Sequence, residues 1–288
     1  MNIQKCYLCN CESHIQRPGI VRDNNGLKVL QCTNCDLVFL SSFDHISREH
    51  YSESGMHGGE SVDVDNWIKD TAEDDERRFN FLKTKMTNRN VLDFGCGNGG
   101  FIERAKSIAK STSGIEPELA LVDSFKMRNL EVWRSHSGLV NLGTKWDLIT
   151  AFHVVEHLPD PKIILQELSQ LLESNGEIII EVPNANDALL TLYNSTAFQK
   201  FSYWSQHLFL FSESTLRQLV KKAGLRLNWV QHIQRYTLSN HLYWLSNGKP
   251  GGHKTWNFLS TCHLDEMYEK QLASLGIADT IIAGIGVE

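Results

Sequence analysis

The chain has 288 residues, enough for one large domain or a domain with a smaller companion, and 28 Lys+Arg against 34 Asp+Glu leave a net charge of −6. Hydrophobic residues at 41% and charged residues at 22% exclude a disordered chain, and no apolar run approaches the roughly 20 residues that span a bilayer. The acidic balance is the reverse of what a polyanion binder carries, so nucleic acid is not expected as a main partner.

The opening MNIQKCYLCNCES has no basic stretch followed by an apolar one, which predicts no secretory signal and a reducing, cytoplasmic setting. The seven cysteines are then not a disulfide framework. Within residues 1–45, Cys6-Tyr-Leu-Cys9 and Cys32-Thr-Asn-Cys35 form two C-x2-C pairs. Each pair can bend two thiolates over one metal, and together they supply the tetrahedral four sulfurs that Zn²⁺ accepts. Cys6, Cys9, Cys32 and Cys35 are therefore expected to hold a structural zinc in a small N-terminal module, with Cys11 and His14 close enough to compete as ligands. Residues 46–88 read as a linker and connecting helix, with Trp67, Ile68, Phe79, Phe81 and Leu82 at helical spacing. The run Glu73-Asp74-Asp75-Glu76-Arg77-Arg78 within it reads as a solvated helix face.

From residue 89 to 235 short β-rich runs alternate with helical ones, the pattern of a parallel sheet covered by helices on both faces. Val91-Leu92-Asp93-Phe94-Gly95-Cys96-Gly97-Asn98-Gly99-Gly100 leaves a strand and enters a helix expected to run to about residue 110. Its glycines allow a sharp turn and a close approach to a nucleoside-containing ligand beside a helix N-terminus. It can be parsed as G-x-G-x-x-G or as D-x-G-x-G-x-G, and Glu116, about 20 residues on, would meet ribose hydroxyls under either parsing. Further strands are expected at LEVWRSH, WDLITAFHVV and GEIIIEVP, then a helix from Ser212 to Ala223 and a strand LRLNWVQHI. A polar insertion at about 236–264, a helix near Leu264–Leu275 and a last strand DTIIAGIG follow, the last suited to an antiparallel edge position.

The string VLDFGCGNGGF, then GIEPE, WDLITAFHVVEHLPDP and GEIIIEVPN, resembles the class I S-adenosylmethionine-dependent methyltransferases in order and spacing. The resemblance implies an α/β fold, a seven-stranded Rossmann-like methyltransferase sheet with helices on both faces spanning residues 89–288, preceded by the zinc-binding module. It lays Asp93, Gly95, Cys96, Gly97 and Glu116 against the cofactor, with Phe152 and His153 at its methionine side and adenine contacts near residues 135–137. The cysteine knuckle and the segment ending His207-Leu-Phe-Leu-Phe211-Ser212 further resemble bacterial sugar and glycan-pathway methyltransferases, which implies a sugar, nucleotide-sugar or glycan-precursor hydroxyl as acceptor. The Tyr and Glu that accompany this His in the carbon-methylating members are missing here, so oxygen is the expected methylated atom.

Methyl transfer from a sulfonium is an in-line displacement that needs a proton acceptor for a hydroxyl, and His207, beyond the C-terminal edge of the sheet, is the expected base. His157 is expected to order the helix start after the fourth strand and His153 to shape the cofactor pocket. Glu156 and His157 alone are too few ligands for a divalent cation. The insertion, rich in aromatics and amides, is either a sugar-binding face or a capping hairpin with Tyr243 and Trp244 in its core. An NAD-dependent oxidoreductase, a zinc-ribbon RNA methyltransferase and a non-catalytic binding module are the alternative readings. Asp93 inside the strand, the EHLPDP string and the negative charge weigh against the first two, and the intact glycine loop against the third.

Overall fold

The computed structural model describes residues 5–47, 50–53, 55–57, 62–135, 139 and 143–288. Its larger sheet has seven strands in the order β10-β11-β8-β7-β4-β5-β6. In chain order these are β4 (Asn90–Phe94), β5 (Ser111–Ile115), β6 (Val132–Trp133), β7 (Trp146–Phe152), β8 (Leu172–Pro183), β10 (Leu225–Ile233) and β11 (Thr280–Val287). All pairs are parallel except those of β11, which runs antiparallel to β8 and β10, as expected for the last strand. The chain order reverses between β4 and β7, so a crevice opens there at the carboxyl ends of the strands, where ligands bind in open α/β sheets.

Neighbouring strand residues feed opposite cores. Leu92, Ile149, Ile178, Ile180 and Ile281 join one apolar cluster, and Val91, Leu148, Ile179 and Ile282 join another. The second is covered by α1 (Val64–Met86) through Leu82 and Met86 and by α2 (Gly100–Ala105) through Phe101 and Ile102. The first is covered by a helix at Pro161–Ser169 through Leu165 and Leu168 and by another at Glu213–Lys222 through Leu216, Leu219 and Val220. A sheet buried on both faces explains the near-continuous apolar runs of its central strands.

A second sheet, β1-β2-β3-β9, joins His14–Gln16, Val29–Cys32 and Val38–Leu40 to a strand 169 positions after the last of these, Phe209–Leu210. Val38 pairs with Leu210 and Phe39 with Phe209, antiparallel. The cysteine module and the large sheet share one core, which runs from Cys6, Leu37 and Phe39 to Phe209, Phe211 and Ile180.

Some expected elements differ. The helix after the glycine loop stops at Ala105 instead of near residue 110, and LEVWRSH contributes only Val132–Trp133, a short edge strand. The insertion is not a hairpin: it forms helices at Leu238–Asn247 and Gly252–Thr255. Tyr243 and Trp244 are buried in the first of them, so their packing is helical while their core role holds.

Candidate active site

The glycine loop starts where β4 ends. Gly95, Gly97 and Gly99 have φ of +70°, +51° and +79°, the left-handed region that a Cβ makes costly. A Cβ at Gly95 would stand 2.5 Å from Val154 Cγ2, and one at Gly97 3.2 Å from Trp67 Cζ2, so α1 closes over the loop. Glu116, one residue past β5, accepts the Gly97 N–H at 2.9 Å and the Glu118 N–H at 3.1 Å, which ties the two strand ends together. Asp93 accepts the Thr150 hydroxyl at 2.6 Å. Burial pushes both carboxyls up, Asp93 to about 7 and Glu116 to about 7.

These groups line one cavity of about 900 Å³, near the top of the size range of small-molecule sites. Asp93, Gly95, Cys96, Gly97, Glu116, Phe152, His153 and His207 all face it, so the structure brings together every expected cofactor residue and the expected base. Burial also keeps the Cys96 thiol well above its ordinary pKa, so it lines the wall as an apolar group. Ser135 lines the cavity too, whereas His136 and Ser137 lie outside the described residues.

Of the charged run of α1, Glu73 and Glu76 are exposed, but Asp74, Asp75, Arg77 and Arg78 turn inward. Arg77 and Arg78 reach the fully buried Glu181 at 2.9 and 2.7 Å, while Asp74 pairs with Arg235 at 3.3 Å. Asp75 is itself buried. The physical reason is that α1 crosses the carboxyl edge of the sheet, where the β8 carboxylate needs cations. Arg78 also lies 4.7 Å over the Phe152 ring. His153 completes this network from a left-handed φ of +54°, with Nδ1 3.1 Å from Glu156 Oε1 and Nε2 3.2 Å from Glu181 Oε1. Burial works against charge on this ring, yet the two carboxylates raise its pKa. Strain of this kind at a cavity wall is common where geometry serves a ligand.

At the other end stand His207, His157 and Glu156. The His157 and His207 ring centroids are 5.0 Å apart, and His157 Nδ1 is 2.8 Å from the Gln206 carbonyl. Burial, with His157 nearby, pushes His207 down to about 3, so its ring is neutral. Glu156 and His157 gain from the fold the third partner that sequence spacing did not supply, since ligand atoms of Glu156, His157 and His207 lie within 4.8 Å of one another. The N-terminal segment holds this end in place. Tyr51 donates to the His157 carbonyl at 2.6 Å, Asp23 accepts from the Ser205 hydroxyl at 2.6 Å, and His45 meets the Ser205 carbonyl at 2.7 Å. The walls between are aromatic: Trp204, Phe198, Phe201, Tyr236 and Trp244 face the cavity, with Arg22 4.5 Å over the Trp204 ring. Asn240, His241 and His253 of the insertion line it as well. Asp187, which spacing did not single out, also lines the cavity, and burial pushes it up to about 8.

The four N-terminal cysteines converge. Cys6 and Cys35 Sγ are 3.4 Å apart, Cys9 and Cys32 3.5 Å, and all four lie within 4.8 Å of one another. Tetrahedral zinc with sulfurs at about 2.3 Å needs sulfur pairs about 3.8 Å apart, so the donor set fits. Cys11 and His14 stand outside this cluster: Cys11 accepts the Ser13 N–H, and His14 packs against Phe39.

A glycine loop on a strand end, an acid at the next strand end and a cavity spanning the switch point agree with what known proteins show. The profile of a family described as a methyltransferase domain matches residues 69–229. The chain belongs to this family. It is an S-adenosylmethionine-dependent methyltransferase, which removes the NAD-dependent oxidoreductase and the non-catalytic module from consideration. A ubiquinone biosynthesis O-methyltransferase of Leptothrix cholodnii is 24% identical over 194 residues, 63% of this chain and 77% of that one. The Haemophilus ducreyi protein of the same name is 28% identical over 123 residues, 37% of this methyltransferase and 52% of the relative, so the match spans about half of that relative's length. Among solved structures, a SAM-dependent methyltransferase of Thermotoga maritima, described as a possible histamine N-methyltransferase, superposes with a TM-score of 0.50 at 18% identity. It covers 78% of this chain and 94% of its own. A chain from the complex of the Haloferax volcanii Trm112 methyltransferase activator with its methyltransferase gives 0.50 at 14% identity, covering 78% and 97%. Both likenesses speak for the fold. Among the described residues no helix is long and apolar enough to cross a membrane.

Proposed function

We propose that this methyltransferase holds S-adenosylmethionine on Asp93, Gly95, Cys96, Gly97, Glu116, Phe152 and His153 and transfers its methyl group to a hydroxyl oxygen of a sugar, nucleotide-sugar or glycan precursor. The observation that carries the reading is the single cavity joining the glycine loop to His157 and His207, because displacement at a methyl carbon requires donor and acceptor in one line at near-attack distance. Oxygen as the acceptor is supported by the O-methyltransferase names of the relatives. A ring-bearing polyol is supported by aromatic walls set among hydrogen-bonding groups such as Asn240 and Arg235. His207 stands at the acceptor oxygen and, being neutral, offers a lone pair there. Zinc on Cys6, Cys9, Cys32 and Cys35 is the structural part of the proposal: it would fasten the segment that begins at Cys32 and runs through β3 onto Phe209–Leu210, two residues past His207.

The test is calorimetry with S-adenosylhomocysteine, followed by mass spectrometry of a panel of sugars, nucleotide sugars and phenols incubated with S-adenosylmethionine. A mass gain of one methyl on the sugars supports the reading, and methylation confined to phenols overturns the acceptor class. Gly97→Val should abolish cofactor binding, since a branched side chain at φ +51° is strained and its Cβ would crowd Trp67. Unchanged affinity in a folded variant would reject the loop assignment.

A further inference from the structure

We infer that Glu156, His157 and His207 form a divalent metal site at the acceptor end of the cavity, separate from the cysteine cluster. His157 and His207 line the cavity and Glu156 beside them is fully buried; two imidazoles and one carboxylate are the donor set of facial sites that take Mn²⁺, Fe²⁺ or Co²⁺ and leave positions for substrate oxygens. The three ligand atoms lie within 4.8 Å of one another. His157 meets the Gln206 carbonyl through Nδ1 at 2.8 Å, and because a carbonyl only accepts, that nitrogen carries the proton and Nε2 is left with a lone pair. This backbone contact is the orienting bond that metal-binding imidazoles commonly make. Glu156 is 0% exposed, its Oε1 is turned to His153 at 3.1 Å, and its Oε2 is buried with no hydrogen-bond partner among the described residues. His207 Nδ1 is equally buried and without a partner. Buried polar atoms left unmatched are costly, and two of them on adjacent members of one cluster are explained together by a cation between them.

The inference rests on the methyl-transfer reading and deepens it. A cation there would draw the acceptor hydroxyl into its coordination shell and lower that hydroxyl's pKa, as metal-bound water is acidified. The O–H proton leaves to water in the cavity. The oxygen then forms a bond to the sulfonium methyl carbon while the carbon–sulfur bond breaks and its electron pair stays on sulfur. Alkoxide and sulfonium become a neutral ether and a neutral thioether. His207 then meets the acceptor through the cation instead of taking the proton alone.

The probe is Mn²⁺ titrated into zinc-loaded protein and followed by loss of the free-ion paramagnetic resonance signal. One equivalent should bind to wild type. Changes in the outer shell of metal sites cost about 10–100-fold in affinity, so loss of a ligand in Glu156→Gln or His207→Asn should exceed about 100-fold. Both variants are first checked for unchanged S-adenosylhomocysteine binding, which reports an intact fold. If either unfolds, Co²⁺ on wild type decides: imidazole–carboxylate ligation gives visible bands without thiolate charge transfer, beyond those of the cysteine site. Absence of both signals in wild type, or equal Mn²⁺ affinity in folded variants, overturns the site. If chelator-treated, zinc-retaining protein still methylates its acceptor at the normal rate, the metal proposal falls and the methyl-transfer reading stands. A wild type that fails to bind S-adenosylhomocysteine sinks the underlying reading regardless of metal.

Discussion

The two ends of the cavity are built differently. The cofactor end is made by consecutive strand ends of one sheet: Asp93 and the glycine loop at β4, Glu116 at β5, Phe152 and His153 at β7. Each residue sits where a strand stops, so backbone topology alone brings them together. The acceptor end is assembled from Arg22, Tyr51, His157, Trp204, His207 and the insertion helices, whose meeting depends on a strand pairing between β3 and Phe209–Leu210 and on clamps such as Asp23 to Ser205. The first end is rigid by architecture and the second by packing of remote segments, and substitutions can ask whether they act as separable halves.

The largest expected effect is at His207. Whether it takes the proton or holds a cation, His207→Ala should lower kcat by about 10²–10⁴-fold and leave S-adenosylmethionine affinity unchanged. Steady-state kinetics and calorimetry on the same preparation check this. Lost cofactor binding or an early melt would show that the two halves are one unit and that His207 is structural.

Next comes the element that links them. Glu181 is 0% exposed and neutralises Arg77 and Arg78 while approaching His153 at 3.2 Å. Removing one member of a buried ion pair costs about 3–5 kcal/mol, so Glu181→Ala should destabilise the fold by that order in urea unfolding and weaken cofactor and acceptor functions together. An effect below about 1 kcal/mol would mean that water already serves these cations.

This network also marks the limit of sequence reading. The glycine loop and Glu116 were legible because strand-end spacing is a local property, Phe152 and His153 followed from the methyltransferase resemblance, and Thr280–Val287 was legible as an apolar run whereas Leu225–Ile233 interleaves apolar and polar residues. The run of α1 was misread because a stretch of alternating charge looks the same whether it faces solvent or a buried carboxylate 103 positions away. The single signal available was Glu181 itself, an acid inside the apolar run of GEIIIEVP. Glu156 and His157 adjoin in sequence, whereas the fold brings His207 to them, with His157 Nδ1 on the Gln206 carbonyl and β3 paired to Phe209–Leu210. A capping hairpin was one of the two readings of the insertion; instead Gly248 ends one helix in the left-handed conformation and Gly251 precedes the next.

A smaller effect sharpens the cofactor half. Glu116→Ala should weaken S-adenosylmethionine binding by about 1–3 kcal/mol, the scale of losing hydrogen bonds to a charged group, with part of the loss arising from the freed Gly97 N–H. A much smaller change in calorimetry would place the ribose on another acid.

The finest test separates charge from hydrogen bonding at the same residue. Burial lifts Glu116 from an ordinary 4.5 to about 7 in the protein without cofactor. Ribose hydroxyls donate to a carboxylate, so binding favours the ionised form and pulls the pKa back down. Affinity should then be flat above about pH 7 and fall below it, by at most about tenfold per pH unit. Glu116→Gln keeps an accepting oxygen but cannot ionise, so its slope should shrink to the share contributed by Asp93, which burial also lifts to about 7. Stability without cofactor should move the other way. A carboxyl whose folded pKa is raised stabilises the fold fully below its unfolded pKa of about 4.5, and that contribution is lost as pH rises through about 7. Between pH 5 and 8 the wild type should therefore lose melting temperature relative to Glu116→Gln while it gains cofactor affinity. Parallel trends in the two measurements would show that Glu116 is already ionised by its bonds to Gly97 and Glu118, and that the cofactor end is preformed in charge as well as in shape.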